Sequence, residues 1–352
     1  MNGHVCSPQN RPESRYFNST IRGVVYRFDQ GGTLSDDTLI PCLATSPTTG
    51  FAAYAHLRHE ESVLVTGWRR TGADAFTVGV RWPAAFGDLP YDPRLLTQTI
   101  RQSGLLVAHA AYDVPLAHQT MLDTLDFTVA PRFRAPLGRP SELEVRVGVK
   151  ETAGNRRAAS SLRMRIHLVR DGVTVSRAET EFRWISPRVY ERVRGDRLAY
   201  DWGSWPVPAP VAAELTGRAS AADVALAPGD GPRRWLLRND TGNRLLFDHP
   251  VDHVPGLTLL EAADQAAQAL LAPARLMATR ITTTYHRYVE FDEPCWIEAA
   301  FLPAPAPGLC AVRVTGTQSG KEAFRVRLGG VARESGDTVA PGDAMTPGLP
   351  AY

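Results

Sequence analysis

The chain has 352 residues, of which 43% are hydrophobic and 22% charged, an ordinary globular composition with room for two domains. A formal net charge of +2, with no basic stripe carrying interleaved aromatics, gives no reason to expect a nucleic-acid partner. No run of about 18 apolar residues occurs, so no membrane-spanning helix is expected.

Four cysteines (Cys6, Cys42, Cys295, Cys310) lie far apart and form neither a CxxC pair nor a metal-ligand spacing, so no metal and no cofactor are expected. Scattered thiols fit a reducing compartment, and the first residues lack the apolar core of a signal peptide. A cytoplasmic location follows.

Residues 1–50 read as an extended arm rich in Gly, Thr, Ser and Pro, with one short strand at "IRGVVYRF". A first unit follows over 51–186. It opens with short strands at "SVLVTGW" and "AFTVGVRW", continues with a helix over 93–111, and closes with strands at "LDFTVAPRF", "SELEVRVGVK", "SLRMRIHLVR" and "AETEFRWI". Residues 187–232, with "GSWPVPAPVAAE", read as a linker crossing the surface.

The second unit, 233–333, repeats the plan. "RRWLLRN" and "NRLLF" precede a helix over 255–271, and "TRITTTYHRYVEF", "CWIEAAF", "LCAVRVTGTQ" and "EAFRVRLGGV" follow as strands. Asp171-Gly172 and Ser319-Gly320 are hairpin turn signals. Residues 334–352 read as a mobile tail.

The two helices superpose when Gln102 is laid on Gln265, 163 positions later. Leu96 then falls on Leu259, Gln98 on Glu261 and Arg101 on Asp264. A repeat on this scale is a duplicated domain. Each copy is one long apolar helix plus an antiparallel sheet, an α+β unit in which the sheet wraps the helix. Joining two units sheet to sheet covers the edges each would expose alone.

The chemistry concentrates in "DHPVDHVPGLTLLEAADQAAQAL", residues 248–270. Leu257, Leu259, Leu260, Ala263, Ala267 and Leu270 suit a core. Thr258, Glu261, Asp264, Gln265 and Gln268 recur at steps of three or four on one face. That stripe reads either as the solvated side of an amphipathic helix or as the wall of a ligand groove. Pro255 suits a first helical turn, and Gly256 admits close approach to the backbone. The free N–H groups of that turn are able to polarise a carbonyl. His249 and His253 read either as loop histidines bonded to backbone or as site residues.

This stretch resembles the central-helix motif of hot-dog enzymes acting on acyl-carrier-protein thioesters. Pro255-Gly256, Glu261-Ala262 and Gln265 stand in its register, and His249 fills the histidine position. The chain more closely resembles the A-factor biosynthesis family of double hot-dog proteins. "HPVDHVPGLTLLEA" is similar to that family's second-half signature. "RQSGLLVAHAAYDVPLAHQ", with "ESVLVTGWRR" upstream, is similar to the first-half signature. The likeness runs from about 55 to 331.

The resemblance implies a double hot-dog fold, packed as a pseudo-dimer, and transfer of a β-ketoacyl group from acyl carrier protein to the hydroxyl of dihydroxyacetone phosphate. The product leads to a γ-butyrolactone, butenolide or furan signal. On this reading Glu261 is the base, with His249 and His253 as further catalytic candidates. The backbone at Gly256 and Leu257 polarises the carbonyl, and Arg101 or Arg287 takes the phosphate. Gln98, Asp252, Asp264 and Gln265 complete the binding residues. His118, which matches a family signature, reads as a loop histidine.

The chain departs from the E-x-x-R-Q pattern common in both family motifs. The first half has Gln98, Arg101 and Gln102; the second has Glu261, Asp264 and Gln265. Hot-dog dimers take the histidine from one unit and the acid from the other. His249 is therefore expected to face Gln98, and Glu261 to face the loop near Phe86. Neither pairing keeps a dehydratase His/acid couple. One active site, built on Glu261, is the expectation. A hot-dog thioesterase, dehydratase or cyclase, or a non-catalytic acyl-binding protein, are the alternatives.

Overall fold

The computed structural model describes residues 47–84, 89–154 and 159–334. The expected arm strand, the segment near Phe86 and the C-terminal tail beyond 334 lie outside the described residues.

Among the described residues twelve strands form one antiparallel sheet in the order β1-β2-β4-β5-β6-β3-β9-β12-β11-β10-β8-β7. The first six are β1 (Val65–Gly72), β2 (Ala75–Trp82), β3 (Gln119–Val129), β4 (Ser141–Gly154), β5 (Ala159–Arg170) and β6 (Val173–Ile185). The second six are β7 (Leu226–Gly231), β8 (Arg234–Leu237), β9 (Arg275–Tyr285), β10 (Cys295–Leu302), β11 (Cys310–Gln318) and β12 (Lys321–Arg333). The order reads the same from either end once β7 is set on β1. Each half curls around its own long helix, numbered in chain order after the short α1 (Pro47–Tyr54): α2 (Pro93–Ala111) and, after two further short helices, α5 (Gly256–Leu271). This is the tandem wrapped-helix α+β fold that the repeat implied.

Side-chain alternation dictates the wrap. Along β5, Leu162, Met164, Ile166 and Leu168 point inward and are fully buried, while Arg163, Arg165 and His167 point outward. The helices are buried on nearly every face. Leu96, Ile100, Leu105 and Leu106 of α2 and Leu259, Leu260, Ala263 and Ala267 of α5 sit in the core. Each large aliphatic side chain contributes roughly 1.5–3 kcal/mol by leaving water. The hairpin turns hold as expected, with φ of +50° and +78° at Asp171-Gly172 and +50° and +69° at Ser319-Gly320.

The halves meet where β3 pairs β9 through Thr124–Thr284, Phe127–Ile281 and Thr128–Arg280. Asp126 accepts a hydrogen bond from the Thr283 N–H across this seam at 3.0 Å.

Three expectations need correction. "NRLLF" is a tight turn, not a strand: the Leu246 and Phe247 N–H groups both donate to the Asn243 carbonyl. The stretch 187–232 is not a bare linker. It carries α3 (Pro187–Arg194), α4 (Ala213–Thr216) and β7, so the second copy of the repeat begins well before residue 233. α1 likewise runs across the expected boundary at 50 and pairs with the first unit's helix rather than with an arm. Among the described residues no helix is long and apolar enough to cross a membrane.

Candidate active site

The duplication is written in hydrogen bonds. Gln102 accepts from the Leu64 N–H at 2.8 Å and donates to the Ser62 carbonyl at 2.9 Å. Gln265 accepts from the Ala225 N–H at 2.8 Å and donates to the Asp223 carbonyl at 2.8 Å. Each buried amide thus clamps a 3-10 turn (Glu60–Ser62, Ala221–Asp223) to its central helix and uses both of its polar ends. Just upstream, His56 (φ +53°) and Gly217 (φ +68°) occupy matching left-handed positions.

Two composite sites follow from this symmetry, and they differ greatly. The larger is a cavity of about 520 Å3. His56, Gln98 and Arg101 line it from the first half; His249, Pro255, Gly256, Leu257 and Tyr285 line it from the second. His249 and Gln98 thus line the same cavity.

His249 is oriented by its neighbour. Its Nδ1 lies 3.0 Å from Asp248 Oδ2. Burial alone would raise the Asp248 carboxyl, but the Arg58 and His59 N–H groups and His249 hold it below the usual carboxylate range. An ionised Asp248 accepts from Nδ1–H, so in the neutral ring the lone pair is on Nε2. The two first-half N–H groups fix Asp248 across the junction of the halves.

A second histidine has a defined tautomer as well. His109 Nδ1 is 2.7 Å from the Val114 carbonyl, which only accepts. Burial pushes His109 below its ordinary pKa. In the neutral ring Nε2 is then an acceptor, so His56 Nε2–H donates to it at 2.7 Å. His56 is left with a bare Nδ1. Burial, helped by His109 and Arg101, lowers the His56 pKa to about 3.

Arg101 supplies the charge. It donates to the Ala55 carbonyl at 3.0 Å, and no carboxylate among the described residues forms an ion pair with it. Burial lowers its pKa to about 10, so it stays a cation at neutral pH, with Asp248 acting on it only through space. Gln98 donates from Nε2 to the Leu245 carbonyl at 3.2 Å, and its buried Oε1 has no partner.

At the start of α5 the Thr258 and Leu259 N–H groups bond back to the Pro255 carbonyl. The Gly256 and Leu257 N–H groups, one and two residues in, have no intrahelical acceptor. A Cβ at Gly256 would stand 3.2 Å from the Tyr285 ring, whose hydroxyl donates to the Gly256 carbonyl at 2.9 Å. A side chain at 256 would require the Tyr285 ring to give by a few tenths of an ångström.

Beside the cavity lies a dense polar cluster. Tyr190 donates to Asp252 Oδ1 at 2.6 Å, and Arg194 reaches Asp252 Oδ2 at 2.5 Å and both oxygens of Glu290. His253 Nδ1 is 3.0 Å from Asp252 Oδ1. Asp252 is thus fully engaged in structure, and His253 lines the cavity from this cluster.

The pseudo-symmetric site is nearly closed, with only about 30 Å3 of space against Glu261 and Asp264. Glu261 is 4% exposed. Arg218 binds it through Nε–Oε1 at 2.6 Å and Nη2–Oε2 at 2.9 Å, and reaches Asp264 Oδ2 at 2.8 Å. Gln265 also donates to Glu261 Oε1, at 2.6 Å. Burial raises the Asp264 carboxyl against the pull of Arg218. Arg94 ties Asp92 to Asp223 alongside.

Of the residues picked from sequence, Gln98, Arg101, His249, His253, Gly256 and Leu257 share the large cavity, as does Arg287. Glu261, Asp264 and Gln265 do not: they form the buried cluster with Arg218. His118 does not line the cavity either. Sequence reading missed Asp248, His56, His109 and Arg218. The clamped turns have a recoverable signal, because "AAYAHLRHEESVL" and "AELTGRASAADVA" align with His56 on Gly217, but that alignment sets Leu57 opposite Arg218 and marks neither side chain.

Residues 46–186 and 204–321 match the family described as the A-factor biosynthesis hotdog domain (AfsA). A protein of Streptomyces virginiae, a 2-oxo-3-(phosphooxy)propyl 3-oxoalkanoate synthase, is 37% identical over 272 residues, covering 76% of this chain and 92% of that protein. The synthase of the same name from Streptomyces coelicolor is 37% identical over 289 residues, covering 80% and 91%. Similar solved structures include a 12:0-ACP thioesterase from Umbellularia californica (11% identity, TM-score 0.45, covering 73% of this chain and 94% of that one). That likeness is too weak to bear on chemistry.

Proposed function

Given that the chain belongs to the A-factor biosynthesis hotdog family, we propose that it transfers a 3-oxoacyl group from a thioester to the free hydroxyl of dihydroxyacetone phosphate. The product is the phosphorylated ester from which a butenolide ring closes. The observation that carries this reading is the meeting of three features on one cavity: the Asp248–His249 pair, the Arg101 cation, which has no ion pair among the described residues, and the α5 N–H groups that lack an intrahelical acceptor.

Each feature has a role. Arg101 holds the acceptor's phosphate, with two or more charge-assisted hydrogen bonds replacing the carboxylate it lacks. His249 Nε2 takes the proton from the acceptor hydroxyl as its oxygen attacks the thioester carbonyl. Negative charge developing on that carbonyl oxygen meets the Gly256 and Leu257 N–H groups at the positive end of α5. As the tetrahedral intermediate collapses, the C–S bond breaks and the His249 imidazolium returns its proton to the departing thiolate. Gln98 Oε1, an acceptor without a partner, suits an amide N–H of a pantetheine arm, the arm by which an acyl carrier protein would present the donor.

The base assigned from sequence changes on this reading. Glu261 is closed off by Arg218 and Gln265, so we place it in a structural cluster and give the proton transfer to His249. The site then needs only one base and a polarised carbonyl, which suits acyl transfer better than dehydration.

The test is incubation of the protein with a β-ketoacyl thioester, with and without dihydroxyacetone phosphate, followed by mass spectrometry. Thioester loss that requires the acceptor and yields the phosphorylated ester supports the reading. Equal loss without the acceptor would make the protein a thioesterase, and no loss in either would leave a binding protein.

A further inference from the structure

Helix α3 presents two different faces. Its inner face is locked: Tyr190 and Arg194 are buried and bonded to Asp252 and Glu290. Its outer face carries Arg188 and Arg192 one turn apart, and beside them Val189 and Val193 one turn apart. Val189 is 43% exposed and Val193 58%, and Leu198, just past the helix, is 42% exposed. Neither Arg188 nor Arg192 has an ion-pair partner among the described residues. Aliphatic side chains beside cations make this face complementary to a partner that carries carboxylates and aliphatic groups together.

The helix also stands at the rim of the cavity. It follows β6 directly, and Ile185 at the end of β6 pairs with Gln119, a lining residue. From its inner face the Tyr190 hydroxyl is 3.3 Å from His253 Nδ1, and the Arg194 guanidinium lies 4.4 Å over the Tyr288 ring. His253 and Tyr288 both line the cavity.

We propose that the outer face of α3 is the docking surface for the acyl carrier protein that delivers the thioester. The inference rests on the acyl-transfer reading above. An acyl carrier protein is small and acidic, with carboxylates and aliphatic side chains interleaved along a helix beside the point where its flexible arm is attached. The carboxylates would pair with the Arg188/Arg192 row while the aliphatic side chains sit on Val189 and Val193. The rigid inner face holds this surface at a fixed distance from the chemistry, so the arm enters the cavity beside His253. Rim charges of this kind act mainly on encounter and on specificity among partners.

The experiment compares the wild type with Arg188→Glu/Arg192→Glu. Binding of a bacterial fatty-acid acyl carrier protein loaded with a β-ketoacyl chain is titrated, and turnover is measured with that donor and with the same acyl group on N-acetylcysteamine. The expected result is carrier binding weakened by about tenfold or more, and kcat/KM for the carrier-bound donor lowered to match through KM. Turnover of the N-acetylcysteamine thioester stays unchanged. Carrier binding unaffected by the double variant, or equal losses on both donors, would overturn the proposal. A wild type inactive on both donors would count against the acyl-transfer reading alone, because the titration still decides whether α3 binds the carrier.

Discussion

Arg218 and Glu261 form a two-pronged ion pair inside the second half of the molecule, Nε to Oε1 at 2.6 Å and Nη2 to Oε2 at 2.9 Å. The partners come from opposite sides of the clamped 3-10 turn, Arg218 from the loop after α4 and Glu261 from α5. At the matching place in the first half the guanidinium stands on the helix instead, as Arg101, and no carboxylate among the described residues forms an ion pair with it, Asp248 acting only through space. The charge was thus cancelled in one composite site and left free in the other.

Removing Arg218 should therefore be a stability lesion. Arg218→Ala strands Glu261 and Asp264, two buried carboxyls, without a cation. Breaking a buried pair from one side costs about 3–5 kcal/mol. Thermal unfolding should show a drop in Tm of several degrees. Glu261→Gln should keep transfer activity within a few-fold at temperatures where the fold is intact. A loss of about a hundredfold in that folded variant would return the base to Glu261.

His249→Ala should lower kcat by about 10²–10⁴-fold, the usual contribution of a positioned general base. Asp248→Asn should fall between this variant and the wild type. With its oxygen in the place of Oδ2 the amide still accepts from the Arg58 N–H and from His249 Nδ1–H, but the His59 N–H loses its acceptor and the charge that stabilises an imidazolium is gone. Single-turnover rates of ester formation separate the two. An Asp248→Asn variant as fast as the wild type would show that the Asp248–His249 contact is merely local packing.

Much of this arrangement was legible in sequence, and the limits have physical causes. Both long helices could be read because their apolar periodicity is unbroken and Pro93 and Pro255 mark their starts. The pairing of Gln102 with Gln265 came out because both copies keep the amide that bonds a turn through its two ends. The identity of the open site did not. Whether a carboxylate lines a groove or faces a cation depends on Arg218, which is 43 residues from Glu261. Asp248 was passed over because its role comes from two backbone N–H groups, at Arg58 and His59, roughly 190 residues away. "NRLLF" has strand composition but folds as a turn because Asn243 captures the next N–H groups through both its side chain and its carbonyl.

Arg101 gives a prediction about the acceptor alone. Arg101→Met should raise the KM for dihydroxyacetone phosphate by roughly 10- to 100-fold, the worth of about 1.5–3 kcal/mol of charge-assisted hydrogen bonding. The KM for the thioester should hardly move. Hydrolysis of the thioester by water, if any is seen, should survive in the variant. Initial rates with each substrate varied in turn provide the check, and equal rises in both constants would mean that Arg101 supports the cavity wall and holds no phosphate.

His56 gives a prediction about pH. Its folded pKa, near 3, lies below the value of about 6.5 expected in an unfolded chain. Between those values the unfolded chain binds the extra proton and the folded chain does not, so stability must fall as pH is lowered from about 6.5 toward 3. One proton corresponds to a slope of at most about 1.4 kcal/mol per pH unit. Above about 6.5 the ring is neutral in both states and contributes no slope. His56→Gln keeps a donor for His109 Nε2 but has no proton to gain, so its Tm between pH 7 and 5 should decline less steeply than that of the wild type. Identical slopes would mean that His56 protonates in place and that the His109 pair does not hold it neutral. The charge at the left-handed turn would then sit beside Arg101, and acceptor binding should tighten as pH falls.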